Sequence, residues 1–267
     1  MGDDFQLLSD PPGWVLVMDG VAQSWCDPAE PTNLQFGYML RMADFLDSIA
    51  PRGERLRVIH VGGAAMTMAR YIAARRPTSA QIVLEPNTGL TDLVRRRLPL
   101  PAHSGIKVRP VDGFTGVAAL PGDYAQVVIV DAFEDARVPA ELASTVFHLQ
   151  LRRVLTADGL LLVNLIDSHP FWWTRRVLAG LAECFVELAL CAESATLKGR
   201  RHGNLLVAAA NRELPIDQVT RRSAGSVFPF RVLSGERLRA FIGAASPFTV
   251  EDAVASPAVE RGLLHFD

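Results

Sequence analysis

Residues 57–65 have the sequence RVIHVGGAA, a five-residue run rich in valine and isoleucine followed by two glycines and two alanines. Such a run is typical of a buried strand that turns at once into a helix. From this point, runs rich in valine, isoleucine and leucine alternate with helical stretches, which indicates a parallel sheet covered on both faces. The predicted strands are 57–61, 81–85, 106–110, 126–131 and 160–165, and the predicted helices between them are 65–75, 88–97, 114–119 and 140–155, the last ending before Asp158-Gly159.

Two more apolar runs follow a helix predicted at 170–184, and the polar loop 193–203 joins them. These runs, 186–192 and 204–210, cannot be parallel neighbours, because a parallel crossover needs roughly a dozen residues or more and usually a helix. We therefore expect the sheet to end in an antiparallel hairpin. Five parallel strands and a terminal hairpin predict the Rossmann-like class I methyltransferase fold, an α/β fold with a mostly parallel seven-stranded sheet, whereas the usual dinucleotide-binding fold keeps six parallel strands.

The segments outside this sheet are predicted to be small. Residues 13–25 match two short strands around Asp19-Gly20, which predicts a β-hairpin. Apolar residues recur at helical spacing in residues 32–50, and a second helical segment lies near 236–242, ahead of a last dozen residues that we expect to be poorly ordered. The predicted divisions are a hairpin segment 1–30, a linking helix 31–54, a Rossmann-like domain 55–210 and a C-terminal helical extension and tail 211–267.

The composition is that of a globular protein without a nucleic-acid or membrane surface. Of its 267 residues, 49% are hydrophobic and 21% charged, which provides enough apolar side chains for a full core. The net charge of −2 provides no long-range field that would favour DNA, RNA or an anionic membrane. The acidic N-terminal sequence differs from a signal peptide, and no apolar run is long enough to span a membrane, so we expect neither export nor membrane insertion.

The cysteines and histidines predict neither a disulfide framework nor a metal site. Cys26, Cys184 and Cys191 show no CxxC spacing and lie in or beside apolar segments, so we expect reduced thiols and a cytoplasmic location. The six histidines are scattered without an HxxxH or Cys/His cluster, so we expect no metal.

Polar residues and glycines lie where the first two predicted strands end, the edge at which open α/β sheets bind ligands. Gly62 and Gly63 follow the first strand, where small residues let backbone N–H groups approach a ligand. Glu85 ends the second strand, roughly 20 residues later. An acid at this point can accept both ribose hydroxyls of a nucleoside, or can simply be an acid at a helix N-terminus.

Two aspartates follow the next two strands. Asp112, followed by Gly113, can accept a hydrogen bond from an adenine amino group or can cap the helix predicted from residue 114. Asp131 ends the fourth strand in the stretch VVIVDAFED, so its carboxylate closes a buried run at the edge of the cleft. A carboxylate is costly to bury, and Asp131 is therefore our best candidate for a catalytic residue.

The order and spacing of these residues resemble a known family. The stretch VLVMDGVAQ at residues 15–23, then Gln35, Gly62-Gly63, Glu85, Asp112-Gly113, Asp131 and Pro139-Ala140 occur as in the polyamine aminopropyltransferases, the spermidine synthases. The resemblance covers residues 5–210 and is closest to the short spermidine synthase-like proteins of high-GC actinobacteria. It implies a site for S-adenosylmethionine, its decarboxylated form or methylthioadenosine, together with a small-molecule acceptor and a homodimer.

The resemblance also implies a role for each residue. Glu85 would bind the ribose, Asp112 the adenine, and Gln6 and Gln35 the rest of a nucleotide-side pocket that includes Gly62, Gly63 and Gly113. Asp131 would be the base that takes a proton from the attacking amine.

The chain departs from the family mainly on the acceptor side. Ala64 stands where the family has an aspartate that meets the aminopropyl end of the donor, and Leu34 stands where it has a tyrosine. Glu134 keeps a charge just beyond Asp131. The late loop carries three cations, Lys198, Arg200 and Arg201. Glu134, Arg200 and Arg201 are our candidates for the residues that bind the acceptor. Polyamine cations need carboxylates and aromatic faces, so a polyamine is expected to bind weakly beside these cations, unless the cations belong to a solvated loop.

Three functions are open from the sequence. The leading hypothesis is a transferase that uses S-adenosylmethionine or decarboxylated S-adenosylmethionine to alkylate an amine or other nucleophile, with Asp131 as the base. Because Ala64 removes a reason to prefer the decarboxylated donor, methyl transfer is included. The second hypothesis is a non-catalytic homologue that binds a nucleoside or acts as a scaffold. The third, a nicotinamide-dependent oxidoreductase, lacks the third glycine of the usual motif.

Overall fold

The structure is a computed structural model that describes residues 5–18, 20–225 and 230–258. Asp19 of the predicted hairpin turn and residues 259–267 of the predicted poorly ordered end lie outside the described residues. The strands are β1 Phe5–Asp10, β2 Gly13–Met18, β3 Val21–Cys26, β4 Arg57–Val61, β5 Ala80–Leu84, β6 Ile106–Arg109, β7 Ala125–Val130, β8 Leu155–Asp167, β9 Glu187–Glu193, β10 Gly203–Ala210 and β11 Phe230–Ser234. The helices are α1 Gly37–Ile49, α2 Thr67–Arg75, α3 Thr88–Arg97, α4 Gly113–Ala118, α5 Thr145–Val154, α6 Trp172–Cys184, α7 Ser194–Leu197, α8 Ile216–Ala224 and α9 Gly235–Ile242, with a 3-10 turn at Ala140–Ala143.

The large sheet has the strand order β11-β9-β10-β8-β7-β4-β5-β6. The strands from β4 to β8 run parallel to one another, and β10 pairs antiparallel with both β8 and β9. On the outer side of β9, β11 is also antiparallel. This arrangement confirms the predicted α/β class, a mostly parallel sheet that ends in antiparallel strands as in Rossmann-like class I methyltransferase folds.

Each of the two sheets has one strand more than the sequence predicts. Among the described residues the large sheet has eight strands rather than seven, because β11 pairs with β9. The hairpin predicted at 13–25 is confirmed by the antiparallel pairing of β2 with β3, and β1 adds a third strand by pairing along its whole length with β2. Such short strands depend on their pairing partner more than on their own sequence. The domain limits drawn from the sequence remain predictions, although the large sheet continues past residue 210.

The segment between β7 and β8 also differs from the predicted helix and strand. Ser144 divides the helix predicted at 140–155, because its side chain caps α5 by accepting a hydrogen bond from the Phe147 N–H. Asp158-Gly159 does not end a helix but lies inside β8, where the register with β7 shifts. An irregular register allows turn-forming residues to remain within a strand.

Alternate side chains of the parallel strands pack on opposite faces of the large sheet. Ile59 and Val128 lie in the core that also contains α5 and α6, whereas Val58 and Val127 lie in the core that also contains α1 and α2. All four are fully buried, and each such side chain contributes about 1.5–3 kcal/mol to folding. Because both faces are packed, the carboxyl ends of the strands, where the predicted site residues lie, have fixed relative positions.

Candidate functional site

The turn after β4 lies directly against the end of β7. Gly62 has a φ of +95°, and a Cβ atom at this position would lie 2.2 Å from the carbonyl oxygen of Asp131. Hydrogen bonds fix the contact, since the Gly62 N–H donates to the Leu84 carbonyl at 3.0 Å and the Asp131 N–H donates to the Val61 carbonyl at 2.9 Å. Only glycine fits at position 62, so the predicted ligand-binding turn and the predicted catalytic aspartate are neighbours.

Glu85 holds this turn from the end of β5. Its Oε2 accepts a hydrogen bond from the Gly63 N–H and its Oε1 accepts one from the Asn87 N–H, both at 2.9 Å. The residue is half-buried, and each carboxylate oxygen can accept a second hydrogen bond. Glu85 therefore retains the capacity to bind two ribose hydroxyls while it holds the turn, so the two roles considered from the sequence are compatible.

Asp112 is the N-cap of α4, the alternative that the sequence had left open. Its Oδ1 accepts a hydrogen bond from the Thr115 N–H at 2.8 Å, and the residue is exposed. Its slight burial raises the pKa of Asp112, but hydrogen bonds from the backbone and side chain of Thr115 outweigh this and keep the pKa below its usual value. Gly113 packs closely on β4, since a Cβ there would lie 2.2 Å from a Val61 methyl group. An ionised, exposed Asp112 at this edge can still accept a hydrogen bond from a base.

The two predicted glutamines lie in the N-terminal segments. Gln6 is an exposed residue of β1, and β1 packs beside α3, where a Cβ at Gly89 would lie 3.3 Å from the Phe5 ring. This contact places β1 beside the helix that follows Glu85. Gln35 is exposed, and its Nε2 donates a hydrogen bond to Asn33 Oδ1 at 2.8 Å. Nucleoside binding by both glutamines stays a prediction.

Asp131 is held by two hydrogen-bond donors. The Tyr38 hydroxyl donates to Oδ2 at 3.1 Å, and the Asn164 side chain donates from Nδ2 to Oδ1 at 2.9 Å. Burial raises the pKa of Asp131 above its usual value, while the hydrogen bonds from Asn164 and Tyr38 oppose this rise. Burial and the neighbouring Asp131 carboxylate raise the pKa of Tyr38 well above its usual value, so Tyr38 remains a protonated donor. Asp131 is thus a fixed carboxylate with raised proton affinity, as a general base requires.

Neither of these two partners of Asp131 was predicted from the sequence. Tyr38 fits the apolar face of the predicted helix, and nothing local connects it with a residue 93 positions away. Asn164 offered a signal, because it interrupts the apolar run LLLVNLI and is buried there. A polar residue inside a buried strand needs a hydrogen-bond partner, and Asp131 is that partner. The Oδ1 atom of Asn164 is also buried and has no hydrogen-bond partner among the described residues.

The predicted acceptor-binding residues lie on two loops. Glu134 is exposed in a tight turn after β7, where its backbone exchanges hydrogen bonds of 2.8 and 2.9 Å with that of Arg137. Arg200 and Arg201 lie between α7 and β10, where Arg200 is exposed and Arg201 forms an ion pair with Glu193. Within the part of the chain that the structure describes, no hydrogen bond or ion pair joins these three residues to Asp131. Acceptor binding by them stays a prediction.

The Tyr38→Phe variant should shift the acidic limb of the pH–rate profile to higher pH. The Tyr38 hydrogen bond lowers the pKa of Asp131, so its loss raises that pKa, and the ionised base is then present only at higher pH. The measurement is the rate of group transfer against pH. Tyr124→Phe removes a hydroxyl at the start of β7, away from Asp131, and should leave the profile unchanged. An unshifted limb in Tyr38→Phe would contradict Asp131 as the titrating base.

The described residues form neither a metal site nor a membrane-spanning helix. No group of three or more His, Cys, Asp or Glu side chains within residues 5–18, 20–225 and 230–258 is arranged to hold a metal ion. In the same ranges, no helix combines the length and the apolar character that crossing a bilayer requires.

Comparison of the sequence with known proteins gives one partial match. No family model matches the chain. A probable polyamine aminopropyl transferase of Bifidobacterium longum is 30% identical over 105 residues, which are 39% of this chain and 23% of that protein. The chain therefore matches about a quarter of the length of that curated relative.

Comparison of the structures extends the similarity over nearly the whole chain. The crystal structure of a probable spermidine synthase of Corynebacterium glutamicum matches with a TM-score of 0.86 at 27% identity, covering 92% of this chain and 93% of that one. Human methyltransferase-like protein 13 in complex with SAH matches with a TM-score of 0.56 at 16% identity, covering 80% and 96% of the two chains, and shows the shared fold alone. In both sequence and structure the chain is therefore similar to spermidine synthase-like proteins.

Proposed function

We propose that the protein is a transferase that uses an S-adenosyl sulfonium compound to alkylate a nucleophile of a small acceptor molecule. The observation that carries this proposal is the contact between the Gly62-Gly63 turn, held by Glu85, and Asp131, held by Tyr38 and Asn164. It joins a nucleoside-binding edge to a carboxylate with a raised pKa. The names of its relatives, a polyamine aminopropyl transferase and a spermidine synthase, support the same class of reaction.

The reaction requires little from the protein beyond positioning and a base. The nucleophile of the acceptor attacks the carbon bonded to the sulfonium sulfur, the C–S bond breaks, and its electron pair passes to sulfur. A neutral thioether leaves, either S-adenosylhomocysteine after methyl transfer or methylthioadenosine after aminopropyl transfer. Asp131 takes the proton that the nucleophile loses. Holding the two reactants in line and supplying this base are recognised sources of rate enhancement.

The position of Ala64 bears on the choice between the two donors. Ala64 follows the two glycines with a φ of +40°, and its methyl group offers no charge to the cationic end of decarboxylated S-adenosylmethionine. We therefore include S-adenosylmethionine among the proposed donors, and the product thioether identifies the group transferred. Mass spectrometry of reactions with each donor distinguishes S-adenosylhomocysteine from methylthioadenosine directly.

Titration calorimetry with methylthioadenosine and both donors tests the nucleoside site. In Glu85→Gln the dissociation constant should rise about 10- to 100-fold, because a hydrogen bond to a charged group contributes about 1.5–3 kcal/mol. Glu54→Gln makes the same chemical change at an exposed residue just before β4, at the amino-terminal ends of the parallel strands and so away from the site. This variant should bind the three ligands with wild-type affinity. Equal affinities in the two variants would exclude Glu85 from the site.

A non-catalytic family member is the second candidate function, and Leu34 favours it. Leu34 is buried in the core with α1 and α2, at the position where the family has a tyrosine of the acceptor site. A protein that binds methylthioadenosine but transfers no group from either donor to any amine, hydroxyl or thiol acceptor would support this second function over the first.

We also propose that the protein acts in the cytoplasm. Cys26, Cys184 and Cys191 are free thiols, which agrees with the reducing cytoplasm. We also propose a homodimer that acts on small molecules and not on nucleic acid. Sedimentation of the purified protein measures the oligomeric state.

A further inference from the structure

We propose that the acceptor carries a carboxylate at the end remote from its nucleophile, and that Lys198 and Arg200 bind this carboxylate. The inference rests on the proposed function, because it assigns the substrate class of the same site. It concerns the loop 194–202, which contains α7 and connects β9 to β10.

The strand register places this loop on the acceptor side of the site. Leu206 of β10 pairs with Asn164 of β8, and Gly203 pairs with Asp167, three residues further along β8. At roughly 3.3 Å per residue, β10 therefore begins about 10 Å beyond Asn164, on the side of β8 remote from β7. A small aliphatic acceptor at Asp131, together with an extended lysine or arginine side chain, can span this separation.

The loop is held in place rather than loosely attached. Gly199 has a φ of +69°, and a Cβ there would lie 2.8 Å from the Cβ of His169, so the loop folds back over the end of β8. Thr196 is buried against Gly203. The backbone N–H groups of 198, 199 and 200 donate to the carbonyls of Ser194, Thr196 and Ala195 at 2.9 to 3.1 Å. The cations on this loop therefore have a fixed backbone beside the site.

Two of the three cations on the loop are free to bind a ligand. Arg201 is neutralised by its ion pair with Glu193. Lys198 and Arg200 are exposed, and their side chains form no hydrogen bond or ion pair with another residue that the structure describes. Because both lie beyond the end of β8 and have no ion-pair partner among the described residues, they favour a negatively charged ligand group.

Asp167, the carboxylate at the end of β8, is not available to bind a cationic group of the acceptor. Asp167 is buried, and its oxygens accept hydrogen bonds from the Ser168 N–H at 2.7 Å and from the N–H and hydroxyl of Thr174 at 3.0 and 2.8 Å. The exposed carboxylates Glu134 and Asp135 lie instead on the turn after β7. An acceptor that extends from Asp131 toward β10 thus leaves the carboxylates and approaches the cations, which fits an amino acid better than a diamine.

A matched pair of probes tests the proposal. Ornithine and 1,4-diaminobutane have the same two amino groups and differ by one carboxylate. Calorimetric titration of each into the wild-type protein saturated with methylthioadenosine should show ornithine bound at least about tenfold more tightly. In the double variant Lys198→Glu, Arg200→Glu this preference should disappear or reverse. The double variant Arg95→Glu, Arg96→Glu makes the same change in net charge at exposed residues near the end of α3, away from the carboxyl ends of the strands. This control variant should keep the preference for ornithine.

The outcomes separate this proposal from the proposed function. Equal or tighter binding of 1,4-diaminobutane, binding of neither probe, or a preference unchanged in the Lys198, Arg200 variant would each overturn it. If methylthioadenosine does not bind, the proposed function fails, and the same comparison with unliganded protein still decides the charge of the acceptor. If methylthioadenosine binds but the diamine is preferred, the nucleoside site stands and the acceptor assignment alone is wrong.

Discussion

In the Asp131→Asn variant, group transfer should be slower than in the wild-type protein by about 10²- to 10⁴-fold, the usual contribution of a general base. The amide has nearly the same shape as the carboxylate but cannot take a proton from the acceptor. The loss should appear in kcat with either donor, because both reactions release one proton. Methylthioadenosine should still bind within about twofold of the wild-type affinity, since Glu85 and not Asp131 is assigned to the ribose.

The control for this variant is Asp135→Asn, which removes an exposed carboxylate on the turn that follows Asp131. It should retain the wild-type rate, and so separates the loss of the base from a general loss of negative charge at this edge. Full activity in Asp131→Asn on an identified acceptor would remove the base from the mechanism. A loss of both turnover and nucleoside binding would instead indicate that the site had collapsed.

The Gly62→Ala variant should lose about 3–5 kcal/mol of the free energy of unfolding, a loss in the range produced by strained or overpacked positions. The new Cβ would lie 2.2 Å from the Asp131 carbonyl oxygen, which belongs to backbone and cannot rotate away. Relief requires the β4 turn to separate from β7, so the nucleoside site should be distorted along with the fold. Urea unfolding, followed by circular dichroism, measures the change.

Gly53→Ala is the matched control, because Gly53 also has a left-handed φ, +82°, but no described atom beyond its two chain neighbours lies within 4 Å of its ideal Cβ. This variant carries the cost of a left-handed alanine alone, about 1–2 kcal/mol. The difference between the two variants therefore measures the clash at the end of β7. Equal destabilisation of both would show that the close approach of Gly62 to Asp131 does not constrain the protein.

The parts of the fold that the sequence predicts well are those with local signals. The helix predicted at 88–97 has the bounds observed for α3, because Asn87 caps it by accepting a hydrogen bond from the Leu90 N–H. The strand predicted at 57–61 coincides with β4, where the apolar run meets two glycines. By contrast, β1 and β11 have no such local signals, and their pairing with β2 and β9 makes them strands.

The candidate site shows the same division. Gly62, Glu85 and Asp131 were predicted because each directly follows a strand, and the parallel topology brings strand ends together. The contact of Asp131 with Tyr38 joins residues 93 positions apart, and its contact with Asn164 joins residues 33 positions apart. Neither follows from spacing along the chain. The packing of α1 on the sheet and the register between β7 and β8 create them.

The strand β11 has a consequence for the behaviour of the protein at high concentration. The outer strands of the large sheet are β6, which has four residues and carries Lys107 and Arg109, and β11, which has five residues and covers the longer, buried β9. A short, charged edge discourages the addition of strands from other molecules, and an apolar edge without a cover invites it. A chain that stopped at the predicted domain limit, residue 210, would expose the backbone of β9 as a template for aggregation. The extension after residue 210 thus keeps the sheet from growing between molecules.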